Sequence, residues 1–556
     1  MKIRFTPLLL LVLSGHLHAQ SIQWMRDAGS TPFSGNERGD AVDTDTDGNA
    51  YVLGHLSINS QFSGLAVQAH EDGCIAKYNA LGMVQWVRTF GGPGFVDIQE
   101  TAVKVSTADN AVYACGLMRT QFANPTVYFG TDSFTYNGNS LHAFLVKYDL
   151  DGNFQWMRHG GGTPYGARFN DLDIDDQGRI VAVGSADGTN VFDGQTITST
   201  ANIGVLARYL PDGTLIDLVQ LADSANSQQA MAVEVAPISG NIYVGGGFWG
   251  ALQFDGSSLY APTSTTFTLK LDDALNGQWV TAGGGNNTTY GSSLEGLAID
   301  AAENCYITGE ASGDTVTFGA HTFIGHTFYD DEVFTAKLDP NGVVQWLRRG
   351  GSEQNDEALD IIADAQGNTV ITGMLGGNIP YAVFDGIQVD IVSQSIHCFI
   401  ARYDTDGQII YAERMGGGSD DVGFGLAIAN DSTFFLTGST WGSTPWLNWN
   451  YMSCCADPNL FIAKVHDLFN ELSMDVGDVS DPVQEPPTIM LTPNPVSATL
   501  WINGLPANAT CQVFNAAGMR MPVSPVALSI EVGHWPSGLY YLRTGSTAPC
   551  SFVVHH

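Results

Sequence analysis

The 556-residue sequence is poor in charged residues, and positive charge is the scarcer kind. Charged residues make up 14% of the chain, and 22 Lys and Arg stand against 57 Asp and Glu, a formal net charge of −35. So acidic a chain repels phosphate backbones and anionic lipids, which argues against nucleic acid or an anionic membrane surface as partner. Helix-period stretches are also hard to find, whereas Gly is abundant at 64 residues. This composition favours an all-β repeat protein.

Long apolar runs are missing too. After the first residues, no stretch approaches the roughly 18 uncharged apolar residues of a spanning helix. The chain begins MKIRFTPLLLLVLSGHLHAQ, with Lys2 and Arg4 ahead of a short apolar core and a cleavage site near Ala19. We interpret residues 1–19 as a secretory signal peptide. We therefore expect a protein that passes through the periplasm, is secreted or displayed on the outer surface, and has no transmembrane segment.

Catalytic and metal-binding motifs are absent from the sequence as well. It contains no H-E-x-x-H, no G-x-S-x-G and no Cys/His metal spacing, and its 13 histidines are scattered. We therefore predict no catalytic residues and no cofactor. Acids are nevertheless so frequent that some pair must face any central channel, which leaves glycoside chemistry open.

What is present is one unit repeated seven times. Its first marker is a strand that ends in Gly, its second an apolar strand with one base, and its third an aromatic strand, such as VQWVR, usually followed by Gly-Gly. The terminal glycines are Gly54, Gly116, Gly184, Gly245, Gly309, Gly373 and Gly438, and the bases are Lys77, Lys147, Arg208, Lys270, Lys337, Arg402 and Lys464. Four short strands per unit, at a period of about 61 to 70 residues, predict a β-propeller with seven blades.

The order of markers at the two ends predicts how the ring closes. The repeats begin with an aromatic strand around Trp24 and end with the basic strand at 461–465. We expect the first strand to complete the seventh blade, which removes exposed sheet edges. The divergent copy LIDLV, with Asp217 in place of Trp, predicts one irregular blade. We expect the bases to pair with acids or to pack their stems between blades.

The residues 43–54, DTDTDGNAYVLG, raise the question of calcium. Asp43, Asp45 and Asp47 match the opening of an EF-hand loop, but its twelfth position is Gly54 and no helix pattern flanks it. Later copies keep the sequence pattern of a β-hairpin, but most of them lack the alternating acids. We interpret the motif as turn chemistry, with these three residues as a weak metal candidate.

The D-x-x-G-N-x-Y-V-x-G and W-x-R-x-x-G-G phrases of the seven units resemble the bacterial SBBP repeat family of seven-bladed β-propellers. The resemblance covers roughly residues 22–465 and implies a propeller over residues 20–465. An acidic, Pro-containing linker follows at 466–488.

Residues 489–556 form a different module of short strands and turns, which we expect to be a small β-sandwich. Three of its phrases resemble the type A C-terminal sorting domain of the type IX secretion system of Bacteroidetes, although the chain ends in SFVVHH where such domains usually have a basic strand. The resemblance implies export by the type IX machinery, with the mature protein then released or attached to surface lipopolysaccharide. The residues that carry it are Pro493, Asn494, Pro495, Gly518, Gly538, Leu539 and Tyr540.

The eight cysteines of an exported chain are able to pair. Cys511 and Cys550 lie alone in the last segment and form the favoured disulfide. Cys74 and Cys398 both stand near the start of the basic strand of their repeats and are interpreted as small buried residues. The partners of Cys454 and Cys455 stay open.

Ligand contacts are expected in the loops that follow each terminal Gly, since binding residues concentrate in loops on a rigid scaffold. Six of these loops contain a Phe before a small turn, and the seventh reads WGSTPWLNWNYMSCC. Trp446 replaces that Phe, whereas Trp441, Trp449 and Tyr451 have no counterpart. They would stack on sugar rings or hydrophobic peptide, or else fill a loop stiffened by a cysteine. The sequence thus favours a non-enzymatic binding or structural module for an extracellular glycan or protein, with a secreted polysaccharide-degrading enzyme as the alternative.

Overall fold

The computed structural model describes most of the chain and divides it into two compact units, Met1–Met474 and Asp475–His556. None of the described residues forms a helix of the length and hydropathy that crossing a membrane requires. The described residues are 20–29, 37–57, 60–62, 65–67, 72–92, 96–120, 126–135, 140–224, 227–287, 289–326, 330–430, 432–441, 445–446, 449–450, 459–467, 490–492, 497–503, 511–515, 520–521, 529–544 and 547–555.

The first unit consists of antiparallel strands, as its composition predicts. The strands up to Gln220 are β1 (Gln20–Gly29), β2 (Arg38–Thr44), β3 (Ala50–Leu56), β4 (Gln61–Phe62), β5 (Leu65–Ala66), β6 (Asp72–Tyr78), β7 (Val84–Gly91), β8 (Val96–Ser106), β9 (Ala111–Thr120), β10 (Thr126–Phe129), β11 (Asp132–Thr135), β12 (His142–Asp149), β13 (Phe154–Ile174), β14 (Ile180–Phe192), β15 (Gln195–Thr198), β16 (Ile203–Tyr209) and β17 (Leu215–Gln220).

The remaining strands of this unit are β18 (Asp223–Ser224), β19 (Ser227–Val235), β20 (Ile242–Phe254), β21 (Ser257–Leu271), β22 (Gly277–Gly285), β23 (Ser292–Ile299), β24 (Cys305–Ser312), β25 (Thr315–Phe318), β26 (His321–Ile324), β27 (Asp331–Leu338), β28 (Val344–Gly350), β29 (Glu357–Ala363), β30 (Thr369–Leu375), β31 (Tyr381–Phe384), β32 (Ile387–Asp390), β33 (His397–Tyr403), β34 (Ile409–Met415), β35 (Asp421–Asn430), β36 (Thr433–Thr440), β37 (Pro445–Trp446), β38 (Trp449–Asn450) and β39 (Asn459–Asp467).

These strands form seven repeats of four, which we name inner, second, basic and aromatic strand in the order of pairing. Repeat 1 pairs β2, β3, β6 and β7 in that order. The long strand β13 is the aromatic strand of repeat 2 and continues as the inner strand of repeat 3. Repeats 2 to 7 pair β8-β9-β12-β13, β13-β14-β16-β17, β19-β20-β21-β22, β23-β24-β27-β28, β29-β30-β33-β34 and β35-β36-β39-β1.

The first strand of the chain is the aromatic strand of the last repeat. β1 pairs with β39 along its length, with Trp24 opposite Lys464 and Asp27 opposite Phe461. The buried apolar residues form seven clusters in this unit, each shared by two neighbouring repeats. One of them joins Trp24 and Phe435 of repeat 7 to Val52 of repeat 1. The pairing expected for Trp24 is therefore present.

The loop after each terminal Gly forms a hairpin, and in several repeats this hairpin adds to the aromatic strand of the preceding repeat. β10 pairs with β7, and Phe129 lies opposite Phe90. Elsewhere the residue opposite the hairpin Phe is small, as in Gly283 opposite Phe318. A Cβ on Gly283 would lie 2.2 Å from the ring of Phe318, so the glycine makes room for it. This explains the glycines that follow the aromatic strand.

Adjacent repeats are joined by a contact that we call the inter-repeat latch. In repeat 1, the Trp86 indole N–H donates to Leu150 O at 3.1 Å, in the turn between the basic and aromatic strands of repeat 2. The Arg88 guanidinium stacks on the Trp86 ring at 5.4 Å and donates to Gly152 O of the same turn at 2.6 Å. Lys77 of the basic strand also donates to Leu150 O, at 3.0 Å. Each such bond contributes about 1 kcal/mol.

The latch recurs at five junctions. Its indole N–H donors and carbonyl acceptors are Trp24 to Ala80, Trp86 to Leu150, Trp156 to Pro211, Trp279 to Pro340 and Trp346 to Thr405. The pair Trp24 to Ala80 runs from β1, in repeat 7, to the turn of repeat 1. Repeat 7 has no such turn. Its basic strand is β39 and its aromatic strand is β1, which comes from the N-terminal part of the chain, so no turn connects the two.

The irregularity expected at Asp217 lies in the latch and not in the strand pairing. β17 pairs with β16 through the same register shift as in other repeats. Asp217 accepts from Arg208 at 2.6 Å, and Arg208 donates to Asp273 O in the next turn at 2.8 Å. That turn carries Leu275 at φ 65° where the other latched turns carry Gly. Without an indole over the turn, a side chain is accommodated there.

The second unit contains two antiparallel sheets around one apolar core. Its strands are β40 (Met490–Thr492), β41 (Thr499–Asn503), β42 (Cys511–Asn515), β43 (Arg520–Met521), β44 (Ser529–Glu531), β45 (Gly538–Thr544) and β46 (Thr547–Val554). One sheet has the order β40-β41-β44 and the other β43-β42-β45-β46. Leu500 and Ile530 of the first sheet share a core with Val513 and Leu542 of the second.

The latch predicts that a methyl group on its turn glycine is costly. Gly152 has φ 79°, and a Cβ there would lie 2.7 Å from the Trp86 ring. We expect Gly152→Ala to destabilise the protein by about 2 kcal/mol or more, since the left-handed backbone and the overlap both oppose it. Gly256→Ala is the matched control, because Gly256 has φ 76° with nothing within 4 Å of the added Cβ. Urea unfolding of both variants, and of Gly152→Ala combined with Trp86→Ala, measures the difference. An equal penalty at both glycines would contradict the latch.

Candidate functional site

The inner strands of all seven repeats line one cavity of about 320 Å³. Each inner strand carries a β-bulge at the same position, where its register against the second strand shifts by one residue. A bulge leaves one residue unpaired and re-aims its side chain. All seven bulged residues line the cavity, and they are Asp40, Thr101, Asn170, Met231, Glu295, Leu359 and Phe424.

Carboxylates beyond the bulge join adjacent repeats at three junctions, namely 1–2, 3–4 and 6–7. Asp171 accepts the N–H of Val233 at 2.7 Å, and Asp360 accepts the N–H of Leu426 at 2.6 Å. Two residues further along, Asp43 and Asp173 accept the N–H groups of Val105 and Val235, both at 2.7 Å. In every case the donor belongs to the inner strand of the following repeat. These four acids therefore fasten repeats together.

Among the described residues that line the cavity, Lys104 is the single base. Its ammonium lies 3.1 Å from Glu234 Oε1 and 3.4 Å from Asp173 Oδ1. Burial opposes its charge, but the carboxylates of Asp173, Glu234, Asp43 and Asp171 outweigh this and hold the pKa of Lys104 well above its usual value. Lys104 is thus the cation at the centre of an acidic cluster.

One ammonium cannot balance the charge of so many buried carboxylates, and several of these acids have raised pKa values. Burial raises the pKa of Glu234 to about 8 and that of Asp171 to about 7, against the opposing charge of Lys104. Burial likewise raises the pKa of Asp43 and of Asp360 to about 6. Near neutral pH the cluster shares protons, a state in which buried carboxyl groups donate as well as accept hydrogen bonds.

A second group of acids lies between repeats 5 and 6. Burial raises the pKa of Glu310 to about 8, and the charges of Glu357, Asp331 and Glu295 raise it further. Burial raises the pKa of Glu357 to about 7, again with Glu295 and Asp331 contributing. Carboxyl groups that keep their proton near pH 7 are chemically able to act as general acids. No group of three or more His, Cys, Asp or Glu among the described residues is arranged to hold a metal ion.

The three aspartates of the EF-hand-like motif lie in three different surroundings. Asp43 joins repeats 1 and 2 inside the cavity. Asp45 accepts the N–H groups of Asp47 and Asn49 at 3.0 and 2.9 Å, and its other oxygen accepts the Tyr51 hydroxyl at 3.0 Å. Asp47 is exposed. The side chain of Asp45 thus shapes its own turn and orients Tyr51.

The aromatic residues predicted for ligand contact are described only in part. Trp441 is 42% exposed at the end of β36. Trp449 lies on β38, opposite Trp446 of β37, so the seventh loop also forms a hairpin. Tyr451, Cys454 and Cys455 lie outside the described residues. The structure therefore brings no complete aromatic site together from this set.

The tail residues are also placed unevenly. Tyr540 is buried, and its hydroxyl donates to Pro536 O at 2.8 Å. Gly538 and Leu539 pair with Val554 and Val553, whereas the positions 493–495 and Gly518 lie outside the described residues.

Two expectations concern the cysteines. Cys511 lies on β42 and Cys550 on β46, the two strands that flank β45, and their disulfide stays a prediction. Cys74 and Cys398 are buried, as the sequence predicts, and so are Cys115 and Cys305.

The bulges and the carboxylate bonds of the cavity were missed by the sequence interpretation. A bulge changes no residue pattern along one strand, so a single sequence offers no direct signal for it. The alternating acids of DAVDT and DLDID are the nearest trace, since they stand on inner strands.

Comparison with known proteins adds little. No family model and no curated protein matches the chain. Similar solved structures include the polysaccharide lyase Uly1, with 10% identity over 79% of this chain and 92% of that chain and a TM-score of 0.39. A protein of unknown function from Bacteroides caccae has 11% identity over 59% and 94%, with a TM-score of 0.28. The extracellular domain of a hybrid two-component system from B. thetaiotaomicron has 9% identity over 96% and 99%, with a TM-score of 0.16. These TM-scores are too low to support an argument about function.

The cavity predicts a stability that falls as the pH rises. A raised pKa means that the folded state holds a proton that the unfolded state releases, so stability declines from the unfolded pKa up to the folded one. For Glu234 this window ends at about pH 8. We expect Glu234→Gln to flatten the fall between pH 5 and 8 by up to about 1.4 kcal/mol per pH unit. Urea unfolding across this range measures it, with Asp47→Asn in an exposed turn as control. A wild-type stability that rises over the window would refute this electrostatic account.

Proposed function

We propose that the seven repeats close into a seven-bladed β-propeller, followed by a small β-sandwich, and that the protein works outside the cell as a non-enzymatic binding scaffold. Closure is supported at the junction of repeats 7 and 1. Thr44 Oγ1 donates to Ile428 O at 2.9 Å between the two inner strands. Across the same junction, Trp24 donates to Ala80 O at 3.1 Å and Arg26 to Gly82 O at 2.7 Å.

The repeats follow the phrases by which the chain resembles the SBBP family. The Trp and Arg of W-x-R-x-x-G-G make the latch, and the residue just before its first Gly lies opposite the hairpin Phe. The Asp that opens D-x-x-G-N-x-Y-V-x-G accepts a backbone N–H of its own turn, as Asp45 does. The residues of each phrase thus make specific contacts, which gives the resemblance a physical basis. It supports membership of such a repeat family.

The observation that favours binding over catalysis is how the cavity carboxylates are used. Asp43, Asp171, Asp173 and Asp360 each accept a backbone N–H of the next repeat. An acid held in this way has a structural duty that a catalytic role would compromise. The exposed side chains of the hairpins, such as Tyr128 and Tyr260, carry no such duty, and a rigid scaffold that presents variable hairpins is suited to recognition. The ligand that we propose is an extracellular glycan or protein.

Polysaccharide degradation is the second candidate, and the acids between repeats 5 and 6 favour it. Burial raises the pKa of Glu310 to about 8 and that of Glu357 to about 7, and the charges of neighbouring carboxylates contribute to both shifts. A protonated Glu beside ionised ones is the arrangement that a general acid needs. Glu295, which accepts a hydrogen bond from the Ser293 hydroxyl and lines the cavity, would then be the second carboxyl group of the pair.

One experiment separates the two candidates. The mature chain is incubated with soluble polysaccharides, and both retention of the polymer and release of new reducing ends are measured. The scaffold account predicts retention without new ends. Release of new ends that disappears in Glu310→Gln would establish the enzyme, and retention of no glycan together with capture of no surface protein would refute the binding function.

We further propose that the second unit is the type IX sorting signal, so that the secretion machinery is a partner and the mature protein is released or held on lipopolysaccharide. The separate apolar core of this unit supports its independence from the repeats. In a Bacteroidetes host, deletion of residues 489–556 should leave a folded repeat unit in the periplasm. The tail fused to a reporter with a signal peptide should carry that reporter to the surface or medium. A tailless protein that still reaches the surface would exclude the sorting role.

A further inference from the structure

Exposed aromatic rings concentrate on one repeat. Seven Tyr and Trp side chains among the described residues are strongly exposed, and three of them fall between residues 249 and 290. Tyr260 is 77% exposed, Tyr290 54% and Trp249 51%. Single exposed apolar residues are ordinary, whereas several rings around one concave surface mark an interaction site.

The most exposed of these rings, Tyr260, lines a groove of about 300 Å³, which we call the hairpin groove. The hairpin of β20 and β21 forms one wall, and Thr317 of β25 lies on the other. Its lining residues are Phe248, Leu259, Tyr260, Ala261, Pro262, Thr263, Thr265, Ala282, Gly283, Gly284, Gly285, Asn286 and Thr317. None of these side chains is charged.

The ring of Trp249 and the backbone of Tyr290 are tied by hydrogen bonds to the segment of Pro262 and Thr263, which lines the groove. The Trp249 indole N–H donates to Pro262 O at 3.1 Å, so the ring lies beside the residue that follows Ala261. The N–H of Tyr290 donates to Asn287 Oδ1 at 3.1 Å, and Asn287 O accepts the Thr263 hydroxyl at 3.3 Å. Aromatic rings with few rotatable bonds lose little entropy when a ligand covers them.

The polar groups of the groove are pre-oriented and uncharged. Asn286 donates to Asp314 at 2.7 Å and accepts the N–H of Thr315 at 3.3 Å, which fixes its amide. Thr265 donates to Gly283 O at 3.1 Å and so presents its remaining lone pairs as acceptors. Gly283, Gly284 and Gly285 contribute backbone atoms to the groove, and they have no side chains that would obstruct a ligand. Rings beside fixed neutral acceptors suit a ligand that has apolar C–H faces and hydroxyl donors.

We propose that the hairpin groove binds a neutral polysaccharide, with a pyranose ring stacked on Tyr260 and its hydroxyl groups bonded to the threonines and to Asn286. An acidic polysaccharide is excluded by charge, since the groove offers no cation and the chain carries −35. An apolar peptide would take water from the remaining lone pairs of these polar groups without bonding them, which opposes its binding. This inference rests on the proposed binding function and assigns it a ligand class and a site.

Affinity electrophoresis of the mature chain in gels containing a neutral β-glucan, a galactomannan or polygalacturonate tests the proposal. We expect retardation by a neutral polymer and none by polygalacturonate. Tyr260→Ala should weaken retardation by about tenfold or more, whereas Tyr260→Phe, which keeps the ring, should retain most of it. Tyr128→Ala is the matched control, because Tyr128 is 50% exposed on the hairpin of another repeat. Thermal melting of each variant verifies folding.

The outcomes separate this inference from the function on which it rests. Retardation by a neutral polymer that Tyr260→Ala leaves unchanged would overturn the site while the binding function stands. Retardation by polygalacturonate alone would overturn the ligand class. If no glycan binds but a surface protein is captured, the inference is wrong and the scaffold function is kept.

Discussion

The fold depends on the indole that five of the seven repeats place over the turn of the next repeat. The ring of Trp86 contacts Gly152 so closely that a Cβ there would lie 2.7 Å away, and its N–H bonds the adjacent carbonyl. The turn therefore requires Gly for two reasons, because a Cβ would overlap the indole and because the backbone has a positive φ. Where the indole is missing, at Asp217, the turn carries Leu275 instead. Trp and Gly therefore vary together across a junction, about 60 residues apart in sequence.

The latch holds the repeats near the turns, and the carboxylates of the cavity hold them along the inner strands. Both sets of contacts use backbone groups of the neighbour, and the latch adds one requirement on its sequence, the turn glycine. This leaves the outward hairpins free to differ. In repeat 4 they differ by exposing Trp249 and Tyr260 beside an uncharged groove. A stiff interior with a variable exterior is the physical basis of the scaffold function that we propose.

Much of the repeat unit was predictable because its markers are periodic. The pairing of β1 with β39 followed from the order of markers alone, and the predicted pairing of bases with acids is present at Lys147 and Asp109, 2.6 Å apart. The contacts between repeats were not predicted. The bond from Lys77 to Leu150 O of the next repeat, 3.0 Å long, and the pairing of the hairpins with the preceding repeat depend on chain segments that no local pattern relates. The bulges that aim side chains into the cavity likewise leave no trace in residue spacing.

Hydrogen exchange of the N-terminal strand tests the central claim, closure of the ring, most directly. In the closed ring, residues 21–28 are paired with β39 and latched to repeat 1, so they open only with the last repeat. The account predicts that their amides exchange as slowly as those of β34, which holds the same position in repeat 6. Rapid exchange of residues 21–28, while 460–465 remain protected through β36, would contradict it.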